Sequence, residues 1–93
     1  MTAYLITYDL RKVRNYEGLL QRLKETGFFS PLESVWLGIG AQPASSVRDD
    51  FARFIDRDDG LLVVELSAGA DWAFQNVNLG AKTAAWLRTN VTP

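Results

Sequence analysis

The chain contains no cysteine and no histidine among its 93 residues. Their absence excludes disulfide bonds, thiolate catalysis, zinc sites built from these residues and an imidazole general base. Carboxylates are therefore the strong candidates for metal-centred chemistry. The sequence also lacks an apolar run of the roughly 20 residues that a membrane-spanning helix needs, and its N-terminus lacks the pattern of a signal peptide. We therefore expect a cytoplasmic protein that is not associated with a membrane.

Positive charge is not in excess either. Ten Lys and Arg residues stand against eleven Asp and Glu, which gives a formal net charge of −1. This balance argues against polyanion binding by the whole surface, so any RNA or DNA site must be a local patch. Hydrophobic residues make up 47% of the chain, enough for one core, and we expect residues 1–93 to form a single domain. Because a domain this small has little stability in reserve, we expect a homodimer that buries further apolar surface.

Two apolar runs have the composition of strands. Residues 4–8 lead directly into Asp9, and residues 61–66 follow a polar turn at 56–60 whose aspartates we interpret as solvated. The nearly unbroken apolar character of both runs predicts central positions in a sheet. Between them, residues 28–39 are interpreted as one bent strand or two short ones, with Pro31 at an edge or a break because proline cannot donate to a ladder.

Three further segments have the residue spacing of helices. The first covers residues 15–26, with Asn15 as its N-cap and Gly27 where a terminating glycine is expected. The second has Ser45 or Ser46 as its cap, and its predicted apolar face carries Val47, Phe51, Phe54 and Ile55. The third covers residues 81–90, and the segment before it, residues 71–76, is interpreted as a short edge strand.

The order of these elements predicts an α+β fold. Its expected form is a ferredoxin-like α/β sandwich, in which an antiparallel sheet carries two helices on one face and a C-terminal helix is added. If both faces of the sheet are apolar while the two helices cover one of them, the other face needs a cover. A second subunit is the cover that we expect.

Several parts of the sequence resemble the small CRISPR-associated proteins of the Cas-two family, and the VapD-like and SinR-like short proteins that share their architecture. The resemblance lies in the strand that ends Tyr8-Asp9, the helix after it, residues 33–36 and the turn and strand at 58–64. It covers roughly the first two thirds of the chain. The acidic balance and the C-terminal third, from Trp72 onward, differ from the CRISPR members, so the stand-alone SinR-like group is the closer match.

The resemblance implies a ferredoxin-like homodimer with a cleft between its subunits. It further implies metal-dependent cleavage of nucleic acid, as in some members, or an architectural role in binding nucleic acid, as in others. By position, Asp9 matches the acid that the family uses to hold metal, and Tyr8 precedes it. Residues 34–36, Ser-Val-Trp, match a Ser-Val-Phe pattern near the cleft, with Trp36 in place of phenylalanine. The resemblance therefore places Tyr8 and Ser34 at the interface or in the wall of the site.

The residues around Asp9 allow two kinds of chemistry. Mg²⁺ or Mn²⁺ shared by Asp9 and its symmetry mate would make Asp9 the catalytic metal ligand, with Arg11, Lys12 and Arg14 on phosphate and Trp36 stacked on a base. Alternatively, Asp9 is a loop cap or a surface ion pair, and Trp36 is buried in the core or the dimer. Two functions follow: a metal-dependent endonuclease, or a non-enzymatic homodimeric module that binds protein or nucleic acid.

Overall fold

The computed structural model describes residues 1–11 and 16–92. The elements in chain order are β1 (Thr2–Asp9), α1 (Glu17–Glu25), β2 (Phe29–Leu32), β3 (Val35–Gly40), α2 (Ala44–Ala52), β4 (Gly60–Leu66) and α3 (Gly80–Asn90). The strands form one antiparallel sheet in the order β2-β3-β1-β4. The described residues are thus a small α+β domain with a four-stranded sheet and three helices. Within these ranges no helix is both long enough and apolar enough to cross a membrane.

Strand β1 is central, as predicted, but the predicted central position of residues 61–66 is wrong. These residues belong to β4, which pairs with β1 alone and forms one edge of the sheet. An apolar run favours a strand with covered faces, and it carries no information about which strands lie along its two edges. The segment 28–39 forms two short strands, and Pro31 lies in β2, the other edge, where a missing N–H is tolerated.

One face of the sheet packs against α1 and α2. Alternate side chains of β1 point to this face and meet apolar residues of both helices in one cluster, which contains Tyr4, Ile6, Tyr8, Leu19, Leu23 and Phe51. Helix α1 ends at the predicted glycine: Gly27 has φ +84° and its N–H donates to the Lys24 carbonyl at 3.0 Å. The next N–H, of Phe28, donates to the Leu23 carbonyl at 3.0 Å, which completes a Schellman motif. The predicted cap Asn15 lies outside the described residues.

The opposite face of the sheet is only partly covered. Helix α3 packs there through Leu87, which forms a second cluster with Val91, the C-cap of the helix, and with Ala3 of β1. Away from this cluster no described residue covers the face, and Leu62 and Val64 are 56% and 41% exposed. The chain's own C-terminal helix therefore supplies part of the cover that the sequence assigns to a second subunit.

Two local predictions are wrong. Helix α2 begins at Ala44 after Pro43, so neither Ser45 nor Ser46 is its N-cap. The Pro43 carbonyl accepts N–H bonds from the first turn, and its extended backbone sets the helix entry without a capping side chain. Helix α2 ends at Ala52, but the predicted apolar face is confirmed: Phe51 belongs to the first cluster, and Val47, Phe54 and Ile55 pack against it.

The predicted edge strand at residues 71–76 is absent from the described part of the chain. Trp72 and Phe74 instead stack on each other, with ring centroids 5.9 Å apart and planes 14° from parallel. Trp72 also packs against the cluster beneath α3. The alternation of aromatic residues here reflects side-chain stacking in an irregular segment, not the pleat of a strand.

Candidate functional site

Asp9 lies at the C-terminal end of β1, opposite Gly60 of β4. Its side chain is 73% exposed, and one carboxylate oxygen lies 3.4 Å from the Arg11 guanidinium, whose own side chain is 60% exposed. An ion pair this long and this exposed contributes little to stability. Asp9 is therefore accessible, and its immediate neighbour is a cation of its own chain.

Arg11 joins the end of β1 to the turn before β4. Its backbone N–H donates to Asp59 Oδ1 at 2.8 Å, and its guanidinium donates to the Asp58 carbonyl at 3.3 Å. The second oxygen of Asp59 accepts the Asp56 N–H at 2.8 Å. We call Asp9, Arg11 and the turn at residues 56–59 the β1–β4 corner.

The acids of this corner are close in space but do not form a metal cage. Among the described residues no group of three or more acidic side chains is placed to hold a metal ion. Asp59 uses both of its oxygens to accept backbone N–H groups, and Asp9 faces Arg11.

The contribution of Asp59 to this corner is missing from the sequence prediction, which treats the turn as solvated. The antiparallel pairing of β1 with β4 would have indicated it, because that pairing sets the end of one strand beside the start of the other. Of the three predicted phosphate-binding cations, Arg11 is exposed at the corner. Lys12 and Arg14 lie outside the described residues.

Tyr8, Ser34 and Trp36 come together elsewhere. The Trp36 indole N–H donates to the Tyr8 hydroxyl at 3.2 Å, and the two residues line a groove of about 310 Å³ together with Ser34, Tyr16 and Glu33. Burial raises the pKa of Tyr8 above its ordinary value, so this hydroxyl stays protonated at neutral pH. Trp36 is 6% exposed and belongs to the first core cluster, so its ring is not open to a base in this structure.

The structure separates this groove from Asp9. Successive residues of a strand point to opposite faces, so Tyr8 points toward the helices while Asp9 lies on the same face as Ala3, Leu5 and Thr7. The sequence-predicted site residues are thus divided between the two faces of the sheet. Asp9 with Arg11 forms one group, and Tyr8 with Ser34 and Trp36 forms the other.

No protein-family model matches this sequence, and no solved structure matches the chain. The resemblance to the Cas-two-like and SinR-like proteins therefore rests on the sequence features given above.

Proposed function

We propose that this chain is a ferredoxin-like member of the Cas-two-like, SinR-like group that acts as a homodimeric, non-enzymatic binding module for nucleic acid or protein. The observation that carries the proposal is the uncovered apolar part of the sheet beside α3. We call it the open face and define it by Leu5, Thr7, Val35, Leu62 and Val64.

The strand order supports the ferredoxin-like assignment. Helix α1 connects β1 to β2, and α2 connects β3 to β4, yet neither connection joins neighbouring strands. Each helix therefore crosses over one intervening antiparallel strand, and both pack on the same face. Two interleaved crossovers of this kind are what the split β-α-β architecture requires.

The composition of the open face supports dimerisation. In the sheet register Leu5 lies beside Val64, and Thr7 lies between Val35 and Leu62, so these side chains form a continuous surface. None of them carries a charge. Contiguous apolar surface of this kind marks interaction sites, and a small domain gains stability by burying it against a second copy.

The β1–β4 corner supports a structural role for Asp9. The guanidinium beside it belongs to the same chain, and Arg11 is itself held to the turn by Asp59 and the Asp58 carbonyl. These contacts within one chain connect the end of β1 to the turn before β4, and they need no bound metal ion or nucleic acid. On this account the Asp9 carboxylate is not required for nucleic-acid binding.

One observation favours the endonuclease as the second candidate. Asp9 follows Leu5 and Thr7 on the same side of β1, so it lies at the rim of the open face, and it is 73% exposed. A dimer formed through this face would place a second Asp9 at the same interface. Two carboxylates and several waters meet the needs of Mg²⁺ or Mn²⁺, and such an ion could polarise a phosphate and supply hydroxide.

A cleavage assay with Mg²⁺ or Mn²⁺ separates the two candidates. Highly purified wild type, Asp9→Asn and the control Asp71→Asn, which alters an exposed acid in another segment, are incubated with single- and double-stranded RNA and DNA. The binding module predicts no cleavage by any of the three, and equal binding by wild type and Asp9→Asn. Cleavage by wild type and Asp71→Asn that Asp9→Asn abolishes would replace it with the endonuclease.

A further inference from the structure

The two edges of the sheet differ in how they are protected. At one edge, β2 has four residues, contains Pro31 and has an irregular register between Phe29 and Leu32. The N–H of Asn78 donates to the Pro31 carbonyl at 2.8 Å, so the segment before α3 lies against this edge. Shortness, proline and a covering segment are features that block strand addition.

In the described part of the chain, the β4 edge has none of these features. Its seven residues pair with β1 without interruption from Gly60 to Leu66, and its single charged residue is Glu65. On the other side of β4, no strand pairs with it in residues 1–11 and 16–92. Alternate N–H and C=O groups of this edge are therefore available to a further strand.

A groove runs beside this edge because α2 packs close to β4. It has a volume of about 300 Å³ and is lined by Ala44, Ser45 and Arg48 of α2 and by residues 61–63 of β4. Its floor is aliphatic, and Arg48 is the one charged residue in this lining. The Arg48 side chain is 56% exposed, and its ion-pair partner Asp49, at 2.9 Å, lies outside the groove.

We propose that the β4 edge and α2 bind an extended peptide that adds a strand to the sheet. The backbone of the peptide pairs with β4, an aliphatic side chain occupies the slot against α2, and a carboxylate faces Arg48. Charge complementarity selects this occupant, because a single cation in a groove whose β4 wall is aliphatic favours a peptide that combines aliphatic residues with an acid. This site goes beyond the proposed dimer, because it uses the unpaired β4 edge, and it shares only Leu62 with the open face.

The probe is a synthetic peptide of alternating threonine and valine with a central glutamate, matched by the same peptide with glutamine. Each is titrated into ¹⁵N-labelled protein while amide shifts and hydrogen exchange are recorded. The glutamate peptide is expected to shift the amides of β4 and α2 and to protect every second amide of β4. Arg48→Ala is expected to weaken the glutamate peptide about threefold and to leave the glutamine peptide unchanged, as for an exposed ion pair.

The control is Arg88→Ala, which removes an exposed arginine on α3 and is expected to change neither affinity. The proposal is overturned if neither peptide binds, if the shifts lie outside β4 and α2, or if Arg48→Ala weakens both peptides equally. It is also overturned if alternate β4 amides are already protected in the free protein in a concentration-dependent way, because a second copy then occupies the edge. The mass of the protein in solution shows separately whether the open-face dimer forms, so failure of the peptide site is distinguished from failure of the dimer.

Discussion

Replacing Asp59 with alanine should destabilise the protein far more than replacing Asp9. Asp59 accepts the N–H of Arg11 and the N–H of Asp56, both at 2.8 Å, so Asp59→Ala leaves two backbone donors of the β1–β4 corner without their partner. Asp9 makes a 3.4 Å ion pair with Arg11, and the two side chains are 73% and 60% exposed. The two variants therefore distinguish whether Asp9 or Asp59 stabilises the β1–β4 corner.

The expected magnitudes differ clearly. Because hydrogen bonds to a charged acceptor are stronger than neutral ones, loss of the two Asp59 bonds at this partly exposed site should lower the free energy of unfolding by about 2 kcal/mol in total. The exposed pair of Asp9 contributes less than about 1 kcal/mol. For a domain of this size, these values correspond to a fall in Tm of roughly 10 °C for Asp59→Ala and at most a few degrees for Asp9→Ala.

Thermal unfolding followed by circular dichroism measures both effects. All proteins are compared at one concentration, because the Tm of a dimer depends on concentration. The assignment of the corner's stability mainly to the Asp59 hydrogen bonds is refuted if Asp9→Ala lowers Tm as much as Asp59→Ala does. If Asp9→Ala instead raises Tm, the carboxylate is held at a cost to stability, as expected of a ligand-binding acid and contrary to our account.

Two further predictions concern packing and pH. A Cβ on Gly38 would lie 2.3 Å from the Phe28 ring, so Gly38→Ala should cost about 1–3 kcal/mol in urea unfolding. Gly18→Ala in α1 meets its nearest side chain at an ordinary 3.6 Å and should stabilise by about 0.5–1 kcal/mol; the opposite order would contradict the packing. Hydrogen bonds from Arg22 lower the pKa of Asp50, so its contribution is intact above the unfolded value of about 4 and is lost as pH falls through the folded pKa. Asp50→Asn should therefore flatten the acid limb of stability against pH, and an unchanged limb would contradict this assignment.

The elements that the sequence predicts well are those specified by local rules. Residues 15–26 combine a helical apolar stripe with Gly27, and α1 ends at that glycine because a positive φ costs glycine nothing. The edge position of Pro31 follows from proline's missing N–H. The sequence leaves open the choice between one bent strand and two short ones, and the division falls after Pro31, at Glu33 and Ser34, where Ser34 has φ +60°. Helix α3 begins one residue before its predicted start, at Gly80, and ends at the predicted Asn90.

The remaining features depend on pairing between distant segments. The position of β4 is set by which strand lies beside β1, and the apolar run at 61–66 contains no information on that choice. The approach of Asp59 to Arg11 follows from the same pairing. The placement of Tyr8 and Asp9 on opposite faces of the sheet could have been predicted, because neighbouring residues of any strand point in opposite directions.

The central claim is that two copies meet through the open face, and the mass in solution tests it most directly. Leu62 and Val64 are 56% and 41% exposed, so burying them yields about 1 kcal/mol for each of four side chains across a two-fold axis. Sedimentation equilibrium compares wild type with Leu62→Lys and with the control Leu79→Lys, which alters a leucine that is also 56% exposed but lies outside the open face. We predict twice the chain mass of 10.4 kDa for wild type and Leu79→Lys, and the single-chain mass for Leu62→Lys. A monomeric wild type, or a Leu62→Lys variant that remains as dimeric as wild type, would contradict the account.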